Sequence, residues 1–110
     1  MLKRLILVLP LFIIGCSSPS PEELAERNCN DPIMAHVMAE KFVTRSLKSP
    51  ATADFASYNP KNVSYIGDCK HRVSSYVDAQ NGFGALVRTN FTVEVQYNKA
   101  SDNYSLINIR

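Results

Sequence analysis

The chain has no apolar run long enough to cross a bilayer. The longest, Leu5 to Ile14, would reach at about 1.5 Å per residue only half of a ~30 Å hydrocarbon core, which excludes a transmembrane helix. The short motifs of catalysis are also missing: there is no Gly-x-Ser-x-Gly, phosphate loop or dinucleotide fingerprint. His36 and His71 are the two histidines, and neither stands at a ligand-like spacing from another metal-binding residue. They read as solvated or packing side chains, and no metal or other cofactor is expected. Asp68, Asp78 and Glu94 could pair as catalytic carboxylates, but no spacing forces them together. With four glycines and no internal repeat, a solenoid is excluded. The sequons at Asn62, Asn90 and Asn103 read as accidental.

Charge of one sign is scarce as well. The formal net charge is +2, from 12 Lys+Arg against 10 Asp+Glu. Lys3 and Arg4 supply that excess, and both precede the apolar run. The rest is neutral and lacks the basic face that releases counterions from nucleic acid, so no nucleic-acid partner is expected. A length of 110 residues leaves room for a single domain.

Lys3-Arg4, the apolar run and the small residues Gly15, Cys16, Ser17 and Ser18 have the three-part pattern of a secretory signal. Within it, Ile13-Ile14-Gly15-Cys16 resembles the lipobox of bacterial lipoproteins, with Ile13 where Leu is commonest and Ile14 where a small residue is preferred. The resemblance implies cleavage after residue 15 and acylation of Cys16, which would become the first mature residue. Ser17 resembles the position that in Gram-negative lipoproteins permits transport to the outer membrane. The expected location is therefore the outer membrane, lipid-anchored and facing the periplasm. Two or three acyl chains, at roughly 0.8 kcal/mol per buried CH₂, make such an anchor stable.

With Cys16 taken by lipid, Cys29 and Cys69 remain as an even pair in an oxidising compartment, and a disulfide is expected. It closes a loop of about 40 residues and stabilises by about 4 kcal/mol on the chain-entropy estimate. Ser17-Ser18-Pro19-Ser20-Pro21 reads as a short tether, so residues 16–21 form the lipidated cysteine and its spacer.

Ser20-Pro21-Glu22-Glu23 is a capping box that predicts a short helix through Asn28. Asn30-Asp31-Pro32 repeats the start signal and predicts a main helix from Pro32 to about Lys48, ended by Pro50. On it Ala35, Met38, Ala39, Phe42, Val43 and Leu47 share one side, and Glu40, Lys41, Thr44, Arg45 and Lys48 the other. Ile33, Met34 and Val37 fall on the polar side, which calls for a cover that the first helix could supply. Lys41, Arg45 and Lys48 form a basic row that could meet an acidic partner or anionic headgroups, or simply be solvated.

From Val63 the hydrophobic period changes to two, predicting strands near Val63–Cys69, Arg72–Ala79, Ala85–Tyr97 and Tyr104–Ile109. Whether the first two are separate strands or one bent strand stays open. A two-residue Asn81-Gly82 turn would put Val73 and Val77 on the polar face. The odd loop Asn81-Gly82-Phe83, with Gly84 in a bulge, sets Val77 opposite Val87 and Val73 opposite Phe91. Gly82 and Gly84 can supply positive φ there. The outer face of this hairpin then carries Tyr76, Asp78, Leu86, Arg88, Asn90 and Glu94. Phe83 sits at the tip, either as a binding anchor or folded back on its own hairpin.

Leu47-Lys48-Ser49-Pro50-Ala51-Thr52-Ala53-Asp54-Phe55 and Tyr76-Val77-Asp78-Ala79-Gln80-Asn81-Gly82-Phe83-Gly84-Ala85 resemble paired motifs of small bacterial and phage-associated proteins, many of them lipoproteins. That resemblance spans roughly Pro32 to Arg110 and implies one real domain without implying an activity.

Together these readings predict an α+β domain over residues 22–110. One main helix packs on a three- to four-stranded antiparallel sheet, with a short N-terminal helix. The expected role is non-enzymatic: an accessory lipoprotein, held at the membrane by its lipid, that binds another envelope protein through Phe83, Arg88, Tyr76 and Leu86. The alternatives are a phage- or mobile-element-encoded exclusion lipoprotein that blocks an outer-membrane receptor, and an enzyme or small-ligand binder with a cleft between helix and sheet.

Overall fold

The computed structural model describes residues 20–110. The expected leader, the lipidation site Cys16 and the tether as far as Pro19 lie outside the described residues. The first helix, α1, spans Pro21–Cys29. Its capping box is complete: Ser20 Oγ accepts from the Glu23 N–H at 3.2 Å and the Glu23 carboxylate accepts from the Ser20 N–H at 2.9 Å. The second, α2, spans Pro32–Ser46, and the Asp31 carboxylate accepts from the Met34 N–H at 3.0 Å. Leu47 leaves the helical conformation and Pro50 opens a 3₁₀ turn, Pro50–Thr52.

Five strands follow: β1 (Asp54–Phe55), β2 (Val63–Gly67), β3 (Lys70–Gln80), β4 (Leu86–Asn98) and β5 (Asn103–Ile109). They form one antiparallel sheet in the order β1-β3-β4-β5, with β2 also paired to β3. β1 and β2 lie end to end on the same side of β3, opposite its residues 77–78 and 70–73. The expectation of one main helix on three or four strands is thus corrected to two helices and a five-stranded sheet. The strand it lacks, β1, is two residues long and has no periodicity of its own. It exists because Phe55 pairs with Val77 and packs edge-on against Phe91, ring centroids 6.0 Å apart.

Residues 63–67 and 70–80 are separate strands joined by a tight turn. Asp68 and Cys69 both adopt positive φ, 53° and 59°, as a two-residue primed turn demands. Such a conformation is unfavourable for a side chain like cysteine. The two-residue turn between the paired Gly67 and Lys70 sets that backbone, and the disulfide from Cys69 to Cys29 fastens the end of α1 to the sheet. The Cys69 N–H also donates to the Tyr65 hydroxyl at 3.2 Å.

The core lies between α2 and one sheet face. Ala35, Ala39 and Val43 meet Val73, Val77, Phe91, Val93 and Val95, with Phe42, Leu47, Phe55, Val63 and Tyr104 around them. Burying each of these valines stabilises by roughly 1.5–3 kcal/mol. The small Ala35 and Ala39 let the helix sit close to the sheet. The odd-loop expectation places Val73 and Val77 on this face, where they are found. The register is nevertheless shifted by two residues along β4: Val77 opposes Thr89 rather than Val87, and Val73 opposes Val93 rather than Phe91. The loop has five residues, Asn81 to Ala85, and Gly84 alone of the expected pair has positive φ, +82°.

Candidate functional site

The β3–β4 hairpin runs beyond the part of the sheet that α2 covers. Every residue from Gly82 to Asn90 is exposed. At the turn, Asn81 organises the backbone: its side-chain oxygen accepts from the N–H groups of Phe83 at 2.9 Å and Ala85 at 3.1 Å. Its own N–H donates to Ala85 O at 2.9 Å and its C=O accepts from the Gly84 N–H at 3.0 Å. Phe83 is the result of that framework. It is 97% exposed, so it does not fold back on the hairpin. Leu86 at 69% and Val87 at 43% extend the apolar tip along both faces of β4.

Behind the tip, the sheet's outer face is a ladder of polar cross-strand pairs. Asp78 opposes Arg88, Tyr76 opposes Asn90, Ser74 opposes Thr92 and Arg72 opposes Glu94. Arg88 donates to both carboxylate oxygens of Asp78, at 2.8 and 2.9 Å, and stacks over the Tyr76 ring at 3.8 Å. These hydrogen bonds hold the Asp78 carboxyl below its usual range and push the guanidinium up. Arg72 donates to Glu94 at 3.0 Å. Three of the four expected partner-binding residues, Tyr76, Leu86 and Arg88, therefore share one face, and Phe83 stands at its end. Asp68, Asp78 and Glu94 are not brought together: Asp78 and Glu94 each face an arginine, and Asp68 lies in the β2–β3 turn.

One feature of the hairpin is invisible in the sequence. β5 stops beside Thr92, whose N–H and C=O both pair with Arg110, at 2.8 and 3.0 Å. Backbone groups alternate in direction along a strand, so the N–H and C=O of Leu86, Arg88 and Asn90 point to the same side. Among the described residues no strand covers them. That open edge is the kind of template onto which an extended segment can add. A shallow, open depression of about 550 Å³ lies alongside, lined by Tyr76, Asn90, Thr92 and Arg110 among others.

The opposite pole is where α1 docks. The Asn28 amide donates to the Tyr97 hydroxyl at 3.4 Å, Tyr97 donates to Asp102 at 2.6 Å, and Lys99 pairs with Glu26 at 2.7 Å. Tyr104 donates to the Asn28 carbonyl at 3.3 Å, and burial pushes its hydroxyl up to about 12. A cleft of about 390 Å³ beside it is lined by Met34, Met38, Tyr97 and Tyr104 together with polar groups. The first helix, however, leaves Ile33, Met34 and Val37 exposed, contrary to the expected cover.

Both histidines are buried packing residues. His36 Nε2 lies 2.7 Å from the Glu40 carboxylate and its ring stands edge-on to Tyr58. His71 is fully buried against Tyr65, neither ring nitrogen has a partner, and desolvation lowers its pKa. Among the described residues no three His, Cys, Asp or Glu side chains form a metal-binding group. Nor is any described helix long and apolar enough to cross a membrane.

No family model matches the chain, and no similar curated protein or solved structure was found. The geometry of the hairpin is therefore what points to a role. The sequence places Asn81 in this loop, whereas the part its side chain plays in closing it is seen in the structure. An Asn followed two residues later by the turn apex is the signal of an Asx turn and would have marked it.

Proposed function

We propose that the protein is a non-enzymatic outer-membrane lipoprotein, anchored through Cys16, whose periplasm-facing domain binds another envelope protein through the β3–β4 hairpin. The single observation that carries this reading is Phe83, 97% exposed at the apex of a turn held by four hydrogen bonds around Asn81. A large exposed aromatic gains from burial against a partner, and on a turn whose backbone is already held the chain loses little backbone freedom on binding. The open edge at Leu86, Arg88 and Asn90 supports it, because a partner strand added there would bring its side chains alongside Phe83 and Leu86.

The test is in-cell cross-linking of the lipidated protein followed by affinity purification and mass spectrometry. One envelope protein is expected in near-stoichiometric yield, lost with Cys16→Ser and with Phe83→Ala. Asn90→Pro removes an N–H that points to the open edge and should also weaken capture, since proline is tolerated at such edge positions. Phe83→Ala should change stability by less than about 0.5 kcal/mol. Recovery of abundant porins alone, or capture unchanged by all three variants, would overturn the proposal.

A further inference from the structure

The outward face of α2 is divided lengthwise by chemistry. Ile33, Met34 and Val37 are exposed along its first half and Lys41 and Arg45 along its second, with Lys48 exposed just past its end. At 100° per residue the five helical positions fall within about 120° of arc, opposite the buried Ala35, Ala39 and Val43. Glu40 lies at the margin of this face, and its carboxylate turns to His36 Nε2 at 2.7 Å. Arg45 packs over the Phe42 ring at 5.3 Å, which steadies its guanidinium.

From this face we infer a membrane-seating surface, with an anionic phospholipid bilayer as its occupant. Exposed apolar residues followed by Lys and Arg on one side of a helix are suited to the boundary between acyl chains and headgroups. This inference rests on the lipid anchor of the proposed function. Residues 16–20 span at most about 17 Å when fully extended, so the acylated Cys16 would keep α1 and the adjoining start of α2 within reach of the bilayer surface.

The orientation has a consequence for the hairpin. α2 lies on one face of the sheet, so seating its outward side on lipid turns the face bearing Tyr76, Leu86 and Arg88 away from the membrane. Lipid and protein partner then occupy opposite sides of the domain. Phe83 is displaced from the tether laterally, since β4 alone carries the chain roughly 35 Å from the tip to the α1 contact at Tyr97.

The chain contains no tryptophan, so a single reporter can be introduced without background. Lipidated full-length Val37→Trp is incorporated into vesicles of phosphatidylcholine with or without one-third phosphatidylglycerol, each containing brominated lipid. Ser74→Trp, on the outer sheet face, serves as control. Severalfold stronger quenching of the indole in Val37→Trp than of that in Ser74→Trp is expected in the anionic vesicles, reduced by high salt and by Lys41→Glu/Arg45→Glu/Lys48→Glu. Equal quenching in the two variants, or none in Val37→Trp, would overturn the inference. So would shielding of the Val37→Trp indole from iodide that grows with protein concentration at fixed detergent, which would assign the face to a second copy. The mass of the Cys16 peptide is read in parallel. Absence of acyl chains refutes the anchor, whereas an acylated Val37→Trp protein with an unquenched indole refutes the seating alone.

Discussion

Arg88 and Asp78 face each other directly across the β3–β4 hairpin and share two hydrogen bonds, of 2.8 and 2.9 Å. Both are solvent-accessible, so the pair marks the register of the hairpin more than it stabilises the domain. The Phe83 turn is built on that register.

Exchanging these charges separates the roles. Arg88→Glu should lower the melting temperature by only a few degrees, and adding Asp78→Arg should restore most of the loss. The sign with pH follows from the depressed carboxyl: the contribution is present above the ordinary carboxylate value of 3.8 and is lost as pH falls through the folded value. Carboxyl NMR titration of Asp78 in the parent and in Arg88→Ala checks this, with the midpoint rising in the variant.

The two turn glycines should respond differently to substitution. Gly84 sits at φ +82° with open space around it, so a side chain there is strained by backbone conformation alone. Gly84→Ala is expected to cost about 1–2 kcal/mol. Gly82→Ala, at a position without positive φ, should stay within about 0.5 kcal/mol of the parent in denaturant melts.

Removing the disulfide with Cys29→Ser/Cys69→Ser should cost roughly 4 kcal/mol, the chain entropy of the loop it closes. Position 69 retains its left-handed backbone in the β2–β3 turn, φ 59°. Cys29→Ser/Cys69→Gly should therefore be about 1 kcal/mol more stable than the double serine, because glycine adopts that conformation freely. Urea melts of the three proteins under identical buffer measure both differences.

His71 predicts an acid-sensitive stability. Burial lowers its folded pKa below the ordinary 6.5, so the unfolded chain binds the proton more readily than the folded one. Stability should be unaffected by this residue above pH 6.5 and should fall as pH drops from there toward the folded value. His71→Leu, which keeps an apolar side chain of similar size in the pocket, should flatten the dependence of melting temperature on pH between about 7.5 and 5. An unchanged slope would show that the imidazole titrates as it does in water.

Much of the architecture could be read locally. Ser20 and Asp31 start their helices because each places a side-chain oxygen where the first N–H groups lack partners. The alternation from Val87 to Tyr97 assigns one face of β4 to the core, and parity then forces an odd loop, since any even one would turn Val73 and Val77 into water. Parity cannot choose between three and five residues, because a shift by two returns every side chain to the same face. The choice was made by Asn81, whose side chain and backbone together close the longer turn.

The remainder depends on groups far apart in sequence. β1 is a strand only through Val77 and Asp78, and the burial of His71 depends on Tyr65 and the sheet around it. The exposure of Ile33, Met34 and Val37 follows from α1 being pulled by the Cys29–Cys69 bond to the Tyr97 end of the sheet. Among the described residues, no strand pairs with the edge of β4 at Leu86, Arg88 and Asn90. Helix starts and strand faces belong to the sequence, because short-range hydrogen bonding and side-chain periodicity decide them. Strand number, loop length and the surfaces left exposed belong to the tertiary structure, because each is set by whether a distant segment arrives to satisfy the same backbone and apolar groups.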